Sequence, residues 1–169
     1  MEKKRRLINI YFLSALLIVL ATVFLIVAVY TRFLRLHFYF EEFYIHHWLS
    51  SIGTVFIAFF TPAYYFLKRR YPKHFRTLLK AHVFGNLLSV MSVSIHFVQE
   101  ISRPPQAFPQ LGTGVVLYAS MILLVLTGFF LRFQNKRSMT RYWRFLHTSV
   151  TVSFYLIILV HVLHGLEVI

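Results

Sequence analysis

Long apolar runs separated by short polar connections occupy nearly the whole chain. Five runs are long enough to cross a bilayer, whose hydrocarbon core of about 30 Å takes roughly 20 helical residues. They cover residues 7–30, 47–67, 78–101, 111–131 and 145–168. The pattern predicts an all-α membrane protein, a bundle of five transmembrane helices within one domain spanning residues 1–169. The first run follows a charged start, as a secretory signal would, but it exceeds the roughly 7–15 apolar residues of such a signal. It also ends in Ala28-Val29-Tyr30, which is no small-x-small cleavage site, so a retained helix is expected. Pro62 lies inside the second run, a position that membrane helices accommodate with a kink. Residues 102–109, with Pro104, Pro105 and Pro109, read as a stiff loop, and Tyr71-Pro72 breaks the chain before the third helix. Tyr44, Trp48, Tyr71, Tyr142 and Trp143 sit at run ends, where an aromatic belt would form.

Little chain remains for anything else. The longest connection, residues 31–46, is too short for a folded soluble domain, and no Gly-rich phosphate loop is present. The absence of cysteine excludes disulfides, iron–sulfur clusters and thiolate haem ligation within the chain. A net charge of +13 would suggest nucleic acid as a partner of a soluble protein. Here its distribution points to membrane topology instead. Of the 18 Lys and Arg, all but Arg32, Arg35 and Arg103 fall on one side of the five-helix arrangement. The positive-inside rule then predicts a cytoplasmic N-terminus and, after five crossings, a C-terminus outside. A multi-pass protein of the plasma membrane follows, and a short chain without organelle signals leans prokaryotic.

The apolar runs also carry histidine, which is rare in lipid and there marks function by default. His82 and His96 share the third run, and His147 and His161 share the fifth; both intervals are 14 residues. On a helix, 14 residues advance roughly 21 Å and return to within about 40° of the same face. The third and fifth helices are separated by one crossing, so they run in the same direction and their histidines match in depth. Four such imidazoles suit the axial positions of two stacked b-type haems, the inner held by His82 and His147, the outer by His96 and His161. Imidazole on both faces of the iron closes its coordination sphere, which suits electron transfer. The second ring nitrogen of each ligand needs its own partner, most simply a carbonyl one turn back on the same helix.

Between His82 and His96, Gly85, Ser89 and Ser92 continue one stripe of small residues, leaving room for a flat macrocycle. The serines equally suit close helix packing. Lys80 and Arg144, with Arg76 and Arg141, are the inner candidates for haem propionates, and Arg103 is the nearest outer one; each also serves topology. His37 and His74 fall in connections and read as solvated. His164 lies about 100° off the face that His147 and His161 share. His46 and His47 open the second helix beside Trp48, as an interfacial anchor or, with Glu100 as proton acceptor, as an acceptor or quinol site.

On His82, His96, His147 and His161, residues 78–164 resemble the membrane domains of ferric-reductase-like and NADPH-oxidase-type proteins. Those carry two histidines 13 or 14 apart on each of two helices, with one helix between. Respiratory cytochrome b is a second resemblance. The resemblance implies electrons hopping between two haems across the bilayer. The chain departs from the reductases in lacking a flavin or nicotinamide domain, and from respiratory cytochrome b in having too few helices and no quinone-loop motif. The expectation is therefore an electron-transfer subunit of a larger oxidoreductase. Its partners would be membrane lipid and redox subunits on the cytoplasmic and outer sides, and no nucleic acid. The alternatives are a quinol-oxidising cytochrome b anchor and a haem-free structural or assembly subunit.

Overall fold

The computed structural model describes residues 2–36, 38–40, 43–102, 111–133 and 137–165. Five long helices dominate it: α1 (Glu2–Tyr30), α2 (Ile45–Arg70), α3 (Phe75–Ile101), α4 (Leu111–Phe133) and α5 (Arg137–Gly165). All five are long and apolar enough to cross a membrane. Their apolar side chains point outward: Leu17 is 68% exposed, Phe59 75%, Phe145 71% and Leu156 62%. A water-soluble fold would turn such residues inward, so these surfaces fit lipid, and the protein is a multi-pass membrane protein.

The helices are longer than the apolar runs. α3 begins at Phe75 rather than at 78, and α5 at Arg137 rather than at 145. The apolar run marks what lipid must cover, whereas the backbone stays helical through Arg141, Tyr142, Trp143 and Arg144, whose side chains suit the interface. α2 runs through Pro62 without a break. Its last turn carries Lys68, Arg69 and Arg70, cations that complement the negative end of the helix dipole.

The chain divides into two compact units, Met1–Ser102 and Arg103–Ile169. In the first, α3 packs against both α1 and α2. The α1 contact includes the Tyr11 and Phe84 rings, with centroids 6.3 Å apart, and the Lys80 ammonium 4.9 Å from the Tyr11 centroid. The α2 contact is closer. A Cβ added to Gly53 would lie 3.0 Å from the Ser89 carbonyl oxygen and 3.3 Å from its Cα. Only glycine lets the two backbones approach this far. The connection before α2 is more than a loop, because β1 (Tyr39–Phe40) and β2 (Phe43–Tyr44) form a short antiparallel hairpin. Its Tyr39 and Tyr44 rings lie 4.0 Å apart. A hydrogen bond donated by the Tyr39 phenol to the Tyr44 side chain holds that phenol above its ordinary range. Trp48 Nε1 donates to the Phe40 carbonyl at 3.2 Å, tying the hairpin to α2. In the second unit α4 packs on α5, with Phe130 stacked on Trp143 at 4.3 Å.

Candidate functional site

Helical spacing puts His82, Gly85, Ser89, Ser92 and His96 on one face of α3. That face meets α2. The Phe56 ring fills the space beside Gly85, and Gly53 sits against Ser89 and Ser92. The room that small residues open on α3 is thus taken by α2 along the middle of the stripe.

At one end of the stripe, the His82 ring stacks on Tyr64 with centroids 4.5 Å apart and planes 12° from parallel. Its Nδ1 lies 3.1 Å from Asn86 Nδ2, and Thr61 Oγ1 donates to Asn86 Oδ1 at 3.4 Å. In one arrangement the amide donates to Nδ1 and the imidazole proton sits on Nε2. Turning the amide over keeps both bonds: Nδ1–H then donates to Oδ1, and Asn86 donates to Thr61. Only that arrangement gives Nε2 a lone pair for a metal. Asn86 can therefore hold His82 in either tautomer.

At the other end, the first turn of α2 and the last turn of α3 bring four ligating side chains together. His46, His47, His96 and Glu100 each offer one ligand atom, all within 4.8 Å of one another. His46 Nε2 is 3.7 Å from Glu100 Oε1, and His96 Nδ1 is 4.0 Å from the same oxygen. His96 and Glu100 share a face because they are four residues apart on α3. The His46 and His47 ring centroids are 4.3 Å apart, and His46 also stacks on Tyr44 at 5.3 Å. His46 is only 4% exposed, and its Nδ1 and Nε2 are both buried without a hydrogen bond. This is no interfacial anchor: the ring is turned into the protein beside Glu100.

In the second unit, both histidines of α5 meet threonines of α4. Thr127 Oγ1 and His147 Nδ1 are 2.8 Å apart, and Thr113 Oγ1 and His161 Nδ1 are 3.0 Å apart. The partner is thus a hydroxyl on the neighbouring helix, and not simply a carbonyl one turn back. At Thr127 the proton positions follow from counting. Its hydroxyl has one hydrogen, which it donates to the Leu123 carbonyl at 2.8 Å, with the Leu124 carbonyl at 3.1 Å. The oxygen can then only accept from His147, so Nδ1 carries a proton and, in the neutral ring, Nε2 the lone pair. A glycine follows each threonine. A Cβ on Gly128 would come within 3.5 Å of His147 Cε1, and one on Gly114 within 3.6 Å of His161 Cε1. Each imidazole therefore lies over a position without a side chain.

Thr113-Gly114 and Thr127-Gly128 recur at an interval of 14, the interval of the histidines they face. That echo was present in the sequence and identifies the partners that reasoning from histidine alone missed, as it missed Asn86 and Tyr64. Of the cations expected beside propionates, Lys80 lies over the Tyr11 ring and Arg144 is exposed, while Arg103 falls outside the described residues. His74 is exposed in a short 3-10 turn (Pro72–His74), as expected of a connection. His37 and the His164 side chain fall outside the described residues. Comparison with known protein families, curated proteins and solved structures gives no match.

Proposed function

We propose that the protein is a b-type membrane cytochrome that carries single electrons across the bilayer. On their spacing along the chain, His82 and His147 would pair on one haem, and His96 and His161 on the other. The observation that carries this reading is the doubled Thr–Gly register of α4 under the two histidines of α5. An imidazole that serves only to fill space does not need its Nδ1 fixed twice by the same device. A metal ligand does, because the partner on the far nitrogen sets tautomer and ring orientation. With Thr127 accepting from Nδ1, the neutral form of His147 keeps its lone pair on Nε2, the form that binds iron at least cost in lipid. Asn86 can do the same for His82. Bound haem would supply the reversible one-electron carrier that no side chain of this chain provides.

The charge pattern supports a cytoplasmic N-terminus, with the His82 and His147 ends of their helices toward the cytoplasm. The chain would work between lipid-embedded or peripheral redox partners on the two sides. The test is haem content in single variants. His147→Ala and His161→Ala should each lower haem from two to one per chain, while His74→Ala keeps both. Full haem retention in both ligand variants would overturn the assignment.

A further inference from the structure

We infer that His46, His47 and Glu100, with His96 beside them, form a binding site for a divalent transition-metal ion of the zinc class. The site stands on unit Met1–Ser102 alone and does not rest on haem binding.

Donor chemistry comes first. Three imidazoles and one carboxylate, without sulfur, make a set that suits zinc and its borderline neighbours, not calcium or magnesium. Spacing comes second. The gaps of 3.7 Å and 4.0 Å at Glu100 are too long for hydrogen bonds. They are close to the distance between two ligands of one tetrahedral ion, about 3.4 Å for bonds of roughly 2.0–2.1 Å. Closing the shell takes a contraction of a few tenths of an ångström at Glu100, and of up to about 1.4 Å at the widest pair, since the four ligand atoms lie within 4.8 Å of one another. Third, His46 is nine-tenths buried and neither of its ring nitrogens has a hydrogen bond. A buried polar group without a partner is costly, and a bound cation removes that cost. Fourth, the rings are already braced: His46 between Tyr44 and His96 at 5.3 Å and 5.7 Å, and His47 5.1 Å from His96.

His96 is the one residue shared with the proposed haem site. The nitrogen it turns to Glu100 is Nδ1. The ligands that belong to this site alone are His46, His47 and Glu100, and two imidazoles with one carboxylate already hold zinc when water takes the fourth position. His96 is the fourth donor in protein whose ring is not engaged by iron.

The experiment is calorimetric titration of the chelator-treated full chain in nanodiscs with Zn2+, followed by X-ray absorption at the zinc edge. One Zn2+ per chain is expected, in a shell of about four N/O ligands at roughly 2.0–2.1 Å with imidazole scattering. His46→Ala, His47→Ala and Glu100→Gln should each weaken binding at least tenfold, and His74→Ala should not. Thermal unfolding of each variant reports whether it folds. If a variant fails to fold, the wild-type absorption spectrum decides alone. Absence of stoichiometric binding, a six-oxygen shell, or folded variants that bind as tightly as wild type would overturn the site. Haem without zinc would leave the electron-transfer reading standing, and zinc without haem would leave only this one.

Discussion

At the scale of single residues, the most informative atom is the hydroxyl of Thr127. Its one proton goes to a carbonyl of its own helix, so it can only accept from His147, and in the neutral ring that makes Nε2 the basic nitrogen. Thr127→Val keeps the shape and removes the acceptor. It should weaken haem retention at that site by about 10–100-fold, while Thr127→Ser holds near wild type, measured by haem loss to a competing apoprotein. Thr113→Val should act likewise on the haem at His161. Unchanged retention in both valine variants would show that the hydroxyls do not orient metal ligands. The four histidines could be singled out because their spacing is a property of sequence alone. Their partners were harder, since a hydrogen bond between helices depends on which helices pack and in what register. The Thr-Gly echo at the same interval was the available clue. His46, His47 and Glu100 could be grouped from the sequence as an acceptor or quinol site, but not the burial of His46, because a histidine near Trp48 also reads as interfacial until the hairpin and α3 are seen to cover it.

At the scale of elements, five helices were legible from hydropathy because lipid permits so few alternatives. Their ends were less so: charged and aromatic residues stay helical beyond the lipid-covered run, which moved the start of α5 to Arg137. The small stripe on α3 shows how one pattern can answer two demands. Gly85, Ser89 and Ser92 were read as room for a cofactor, and that room is occupied by Phe56 and Gly53 of α2. The approach at Gly53 meets backbone, which cannot move aside as a side-chain tip can. Gly53→Ala should therefore destabilise the α2–α3 pair by about 1–3 kcal/mol. A lowered midpoint of thermal unfolding in detergent would register it. Gly112→Ala, where an added Cβ meets nothing within 4 Å, should leave the midpoint unchanged.

At the scale of the whole molecule, orientation is carried by charge. Because the chain has no cysteine, single introduced thiols report topology without background. Arg35→Cys in intact cells should react with a membrane-impermeant maleimide, and Lys73→Cys only after the membrane is opened; the reverse pattern would invert the assigned direction. Electron transfer across the membrane requires more, namely two haems on one polypeptide. The most direct measurement is a reduced-minus-oxidised optical spectrum of the purified protein, with haem counted per chain by the pyridine haemochrome method. Two b haems per polypeptide is the expected result. A colourless, well-folded protein from cells grown with ample haem would contradict the electron-transfer function and leave a haem-free membrane subunit.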